Sequence, residues 1–478
     1  MNGTDMVVMA AYFAVVCAIG LHFTRKQRDA ADYFLGSHDI PWWAVMLSIV
    51  ATETSALTVI SIPGVAARGD LTFLQLPFGY LIGRIAVALW LLPGYFSGDQ
   101  ETAYARLETR FGKPTRKVAS GVFMSIRALG DSVRVFATAI PLHIVTGLSI
   151  PWCVIIVALA TLAYTWAGGI KAVVWVDVMQ MGLYVVAGLA AIIVAVGLVG
   201  GLGDALAQAS NAGKLTTIDW RFSFSRTYTL AGGLLGGALL SAASHGTDHL
   251  IVQRLLATKT LSHARRALVG SGILVIAQFA VFLLVGTFIW AAGADDPSLA
   301  SDELFPTFVV NRLPAGLSGL VIAGIFAAAM STVSSSLNSL ASAATHDFYA
   351  PLTGRRDSRH LLAVGRWATV GWAVVLTGGA LSFRSTEQPV VELALSVASI
   401  TYGGLLGTYI LASLSHRVRQ SDAIAAVVVA TLTMLVVVLA KPGPFKDLAW
   451  PWYVPLGTAI AVGTGLLSSR LHKDPQSP

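Results

Sequence analysis

The sequence predicts an all-α protein that crosses a lipid bilayer about 13 times. Three observations predict it: an excess of apolar residues, a series of helix-length apolar runs, and basic residues that alternate from loop to loop. Of the 478 residues, 55% are hydrophobic and 12% charged, against roughly 25% charged in a soluble domain. Too few polar side chains remain to coat a water-soluble particle, which excludes a soluble enzyme. So much apolar surface must also be buried somewhere, which excludes a disordered chain. Cys17 and Cys153 fall inside apolar runs, so no disulfide framework is available.

A spanning helix needs about 20 mostly apolar residues. Such runs lie near 4–24, 41–66, 71–97, 115–147, 150–167, 173–200, 227–248, 267–293, 308–345, 361–383, 389–414, 421–440 and 450–469. The first has Asp5 near its start and Arg25, Lys26 and Arg28 after it, the reverse of a cleavable signal peptide, so it reads as a true span with its N-terminus outside. Loops assigned to the cytoplasm on that basis hold 21 of the 32 Lys and Arg residues, Arg254 and Lys473 among them. This loop-by-loop bias sets orientation in membrane proteins. The net charge of +7 is therefore read as topology, and no nucleic-acid partner is expected. The C-terminus falls on the cytoplasmic side.

Charge inside a span is costly and marks candidate function. Glu53, Asp131, Asp177 and Glu392 are embedded, and Asp248 is read at a cytoplasmic margin. Asp131 has Arg127 and Arg134 on its own helical face, which leaves a structural ion pair and a solute contact both open. Glu392 lies just past Pro389 and reads as an interfacial residue. Glu53 sits in Ala51-Thr52-Glu53-Thr54-Ser55, a polar run at mid-span. Its hydroxyls compete for backbone partners, and a helix unwound there would aim free carbonyls at an ion or solute. In the ninth run, Ala328, Ser331, Thr332 and Ser335 share a helical face, with Ser334 beside Ser331. They offer the neutral oxygens a hard cation prefers, although helix packing alone explains such a face as well. The seventh run contains Gly232-Gly233-Leu234-Leu235-Gly236-Gly237 and reads as a second interruption, matching the first in an inverted-repeat plan.

The pieces ADYFLG at 31–36, SIVATETSALTVISIPG at 48–64, YTWAGGI at 164–170, WVDVMQ at 175–180, Asp248 with Gln253-Arg254, and IFAAAMSTVSSSLNSL at 325–340 together resemble the sodium/solute symporter family. That resemblance implies a LeuT-like 5+5 inverted-repeat core with one extra N-terminal and two extra C-terminal helices. It divides the single membrane domain into a lead helix (4–24), a first repeat (41–200), a second repeat (227–414) and two C-terminal helices (421–469). It implies Na+ as coupling ion, at a first site formed by Ala51, Thr54, Ala328, Ser331 and Thr332. A second site is implied at Asp177 with Ser331, Ser334 and Ser335; a lesser, purely structural reading makes Asp177 a partner for Lys171 or another cytoplasmic base. By the same resemblance the solute pocket is expected at Thr52, Glu53, Ser55, Thr58, Phe73 and Gln75, with Arg127 offering an anion contact. Relatives carry Asp, Asn or Thr where this chain has Glu53, and the opposite charges of Glu53 and Arg127 suit a zwitterion.

His245 and His249 are four residues apart, but no third ligand lies nearby in sequence. The glycine run at 232–237 lacks the Lys-Ser/Thr of a phosphate loop, and Thr102–Gly112 reads as a short cytoplasmic packing helix. The expectation is a sodium-coupled importer of a small polar organic solute, working by alternating access as a monomer in lipid, in an inner or plasma membrane. A proton-coupled carrier using Glu53 or Asp177 is the alternative. A non-transporting sensor is the lesser one, since the sequence ends about nine residues past its last apolar run.

Overall fold

Among the described residues, each apolar run read from the sequence lies mostly on helix in the computed structural model, which describes residues 3–24, 29–97, 100–383 and 390–472. Arg25, Lys26, Arg28, Arg384, Pro389 and Lys473 lie outside the described residues. The principal helices are α1 (Gly3–Thr24), α2 (Trp42–Glu53), α3 (Ala56–Arg68), α4 (Gln75–Ala86), α5 (Lys113–Thr146), α6 (Ile150–Val199), α7 (Gly237–Gly246), α8 (His249–Leu256), α9 (Leu261–Ala291), α10 (Ser301–Arg312), α11 (Leu317–Ala343), α12 (Ser358–Ser382), α13 (Val390–Leu414), α14 (Gln420–Ala440) and α15 (Tyr453–Arg470). Among the described residues, seven helical stretches are individually long and apolar enough to cross a bilayer. The bent pair α2–α3 supplies an eighth, and Gly3–Ile19 and Ile150–Trp166 are shorter apolar helices.

Three boundaries depart from the sequence reading. The run at 308–345 is two helices, because α10 stops at Arg312 ahead of Pro314 and α11 starts after Gly316, whose φ of +86° is left-handed; the missing proline N–H and the positive φ both break a helix. The runs at 150–167 and 173–200 are joined in α6 and kinked at Gly169 (φ +57°). The glycines at 232–237 do not unwind their helix. They form one wide turn that leads into α7, and a Cβ on Gly237 would come within 2.7 Å of the Leu76 carbonyl of α4. Here glycine serves close helix approach. The interruption falls instead at Thr247–Asp248, where the Asp248 carboxylate accepts the Leu250 N–H (2.9 Å) and starts α8.

The centre of the bundle is α11, whose residues are buried along almost its whole length. It packs most extensively on α6, while α14 and α15 pack on α13 at the flank. The lead helix reaches the same centre. Its buried Asp5 accepts the Gly316 N–H (2.7 Å), the Gly319 N–H (2.9 Å) and the Ser318 hydroxyl (2.7 Å), which caps α11. One α2–α3 elbow and the hydroxyl-rich half of α11 are thereby held against each other.

Candidate functional site

The elbow is made by local chemistry. Thr54 N–H still bonds the Val50 carbonyl (2.8 Å), but Ser55 N–H turns to Glu53 O (3.0 Å) and Thr58 N–H to Ser55 O (2.9 Å). The carbonyls of Ala51 and Thr54 therefore lose their usual i+4 donors, and the axis bends by 59°. Freed carbonyls at mid-depth survive only where protein or a polar cavity covers them. Here α11 supplies the cover. The Thr332 hydroxyl donates to the Thr52 carbonyl (3.1 Å) and lies 3.4 Å from the Ala328 carbonyl. The Thr54 hydroxyl instead accepts from the Gln278 amide of α9.

One turn further along α11 lies a buried charged cluster. Asp177 accepts the Ser331 hydroxyl (2.5 Å) on one oxygen, and on the other the Ser48 hydroxyl (2.5 Å) and the Arg254 guanidinium (3.2 Å). Arg254 also donates to Ser48 (2.8 Å), to the Leu250 carbonyl (2.9 Å) and to Ser335. The Ser334 and Ser335 hydroxyls donate to the Ser331 carbonyl (2.9 and 2.7 Å). Both members of the Asp177–Arg254 pair are fully buried, and a buried charge needs such a partner to compensate it. One sequence alternative is narrowed and one expectation corrected here. Asp177 is paired with a base other than Lys171, which lies 3.8 Å from Asp32. Arg254 is an interior residue rather than a loop residue, because a buried carboxylate required a cation from another helix.

Beside the elbow is a cavity of about 90 Å³. Thr52, Glu53, Ser55, Thr58, Phe73 and Arg127 line it, joined by Tyr80, Arg134, Ser241, Ser244, His245, Phe279 and Tyr402. Gln75 does not line it. Its amide donates to the Thr72 and Tyr228 carbonyls (2.9 and 3.3 Å) and accepts the Asp219 N–H (3.2 Å), so it anchors the loop above. Glu53 is paired with Arg84, which also donates to Ser271 (2.7 Å), and His245 Nε2 lies 3.7 Å from the same carboxylate. Arg127 bonds Asp248 (2.6 Å) and Asp131 (3.2 Å), and Tyr402 donates to Asp248 (2.7 Å). Asp248 is thus an interior residue, not one at a cytoplasmic margin, and Arg127 and Glu53 each already hold an opposite charge. Arg134 bonds Asp131 (3.0 Å), while its buried Nε has no hydrogen-bond partner among the described residues.

His245 and His249 turn to different neighbours: His245 Nδ1 is 2.8 Å from the Ser244 hydroxyl, and His249 Nε2 is 3.0 Å from the Ser342 hydroxyl. The Tyr228 hydroxyl donates to Glu392. Sequence reasoning placed Arg134 beside Asp131, as found, but gave no role in this interior to Arg84, His245 or Arg254. The available signal was the count of embedded acids, each of which needs a cation or donor in contact.

Known proteins share the fold and much of the sequence. A family model described as the sodium:solute symporter family matches residues 33–430. The sodium/sialic acid symporter NanT of Aliivibrio fischeri is 28% identical, over 98% of this chain and 94% of its own length. Human sodium-coupled monocarboxylate transporter 2 is 29% identical, over 98% of this chain and 78% of its own. A solved sodium-coupled sialic acid symporter in a substrate-bound outward-open state superposes with TM-score 0.89 at 25% identity, covering 99% of this chain and 98% of that one. Mhp1, a nucleobase-cation-symport-1 family transporter, shares the fold at TM-score 0.62 and 14% identity, over 93% of this chain and 96% of its own. The fold is LeuT-like. A helix broken between two short polar residues, facing hydroxyls on a buried neighbour, occurs here inside a match that spans most of the sequence, and the chain belongs to the sodium:solute symporter family.

Proposed function

We propose that the protein is a sodium-coupled symporter that carries a small polar organic solute by alternating access, with Na+ as co-transported ion. One observation carries the ion assignment: the Thr332 hydroxyl meets the Thr52 carbonyl at 3.1 Å beside the helix break. Around that contact the freed carbonyls of Ala51 and Thr54, the Ala328 carbonyl and the hydroxyls of Ser331 and Thr332 form a set of neutral oxygens suited to a hard monovalent cation. Asp177, with Ser331, Ser334 and Ser335, is the second candidate ion site, where Arg254 balances the carboxylate in the absence of added cation.

The solute sits in the cavity against Thr52, Glu53, Ser55, Thr58 and Phe73. A carboxylate-bearing solute is favoured, because two guanidinium side chains, Arg127 and Arg134, line the cavity and the relatives are named for sialic acid and monocarboxylates. Binding of sodium at the elbow rigidifies α2–α3 and completes the cavity wall, and rocking of one repeat (41–200) against the other (227–414) carries both cargoes across. Each sodium moved down 100 mV supplies about 2.3 kcal/mol. The protein resides in an inner or plasma membrane, N-terminus outside and C-terminus in the cytoplasm, and works as a monomer.

Uptake into proteoliposomes, with and without an inward sodium gradient, tests the reading. Uptake is expected to require sodium, and Ser331→Ala and Thr332→Ala are each expected to raise the half-saturating sodium concentration about tenfold, equivalent to ~1.4 kcal/mol. Sodium-independent uptake driven by a pH gradient would replace it with the proton-coupled alternative.

A further inference from the structure

The loop over the start of α4 carries apolar side chains that the transport site does not use. Between residues 218 and 224 the sequence alternates strictly: Ile218, Trp220, Phe222 and Phe224 on one side, Asp219, Arg221 and Ser223 on the other. The aromatic side chains stand outward, with Trp220 77%, Phe222 65% and Phe224 55% exposed, while Asp219 and Ser223 are partly buried and Arg221 is exposed beside Asp219. Exposed aromatics in a frayed loop would mean little, but this segment is pinned. Asp219 N–H bonds the Gln75 side chain (3.2 Å), Trp452 Nε1 donates to Ser223 O (3.2 Å), and Ala449 N–H bonds Phe224 O (2.8 Å). The Phe224 ring packs 4.9 Å from the Trp452 ring. Holding three large aromatic groups in water on a fixed backbone forfeits burial of roughly 1.5–3 kcal/mol for a side chain of this kind, so something covers them.

We propose that the cover is the lipid headgroup region, and that residues 218–224 are an interfacial anchor. Continuity argues for lipid over a protein partner. Gln75, to which the segment is tied, opens α4, and α4 with the helical turn Val87–Leu91 that continues it carries an exposed apolar stripe of Phe78, Ile82, Ile85 and Leu89 at helical spacing. In a membrane-spanning helix that stripe meets acyl chains, so the loop continues a lipid-facing surface upward to the level where aromatic residues collect. Arg221 and Arg226 are both exposed and share the single carboxylate of Asp219 (2.7 and 3.7 Å), which leaves a net positive charge beside the segment to complement lipid phosphates. The anchor also has a route to the cavity: Gln75 bonds the Tyr228 carbonyl, and the Tyr228 ring lies 5.2 Å from that of Phe73, which lines the cavity.

Tryptophan fluorescence of the full chain in phosphatidylcholine/phosphatidylglycerol nanodiscs tests this without reference to transport. Subtracting the signal of Trp220→Phe isolates Trp220. Lipid brominated near the headgroup end of its chains is expected to quench that component at least twofold more than aqueous iodide does. Phe224→Trp in the Trp220→Phe background is expected to repeat the result, which guards against a local effect of one substitution. Equal or greater quenching by iodide overturns the proposal. So does protection from both quenchers that appears only when two copies share a disc, which would make the face a contact between chains.

Discussion

At the residue scale, the interior is governed by paired charges whose value depends on how dry each pair is. Asp177 and Arg254 are fully buried together, whereas Glu53 is 19% exposed to the cavity beside the fully buried Arg84. Removing one member of a dry pair strands the other at a cost of about 3–5 kcal/mol, and access to cavity water reduces that cost. Asp177→Asn is therefore expected to destabilise the protein by about 3 kcal/mol or more, and Glu53→Gln by only about 2 kcal/mol. Combining Asp177→Asn with Arg254→Gln should recover part of the loss. Unfolding in detergent without sodium measures all three, and the ordering fails if Glu53→Gln proves the more damaging. Replacing a pair member also removes a candidate ligand, so sodium titration separates stability from binding.

At the element scale, the elbow works because each of its sides is fixed by another helix. The lead helix α1 holds the start of α11 through Asp5, which caps two backbone N–H groups and a hydroxyl at once. Loss of a helix cap costs typically ~1 kcal/mol. Asp5→Ala is expected to destabilise the protein by about 1–2 kcal/mol and to weaken sodium binding without touching an ion ligand. A thermal shift with unchanged sodium dependence would show that α1 stabilises the bundle but does not tune the site. Glycine plays the opposite part at α4–α7, where it permits contact rather than bending.

At the scale of the whole molecule, orientation follows from the charge bias and is open to direct measurement. Arg221 and Lys259 have well-exposed side chains and belong to loops read on opposite sides. In a chain lacking Cys17 and Cys153, a membrane-impermeant maleimide should label Arg221→Cys in intact cells, and Lys259→Cys only after permeabilisation. The reverse pattern would invert the proposed topology. The sequence by itself determined the all-helical membrane class, the apolar runs and the polar break at Thr52–Ser55. Each of these is local: composition sets the solvent, run length sets the helix, and short polar side chains compete with the backbone where they stand. Only the tertiary structure decided that Asp177 faces Arg254, that Glu53 faces Arg84, that Asp248 is interior, and that Gln75 holds a loop instead of the cavity. Those choices join residues tens to more than a hundred positions apart. An embedded charge announces in the sequence that it needs a partner, but which one it meets depends on how the helices pack.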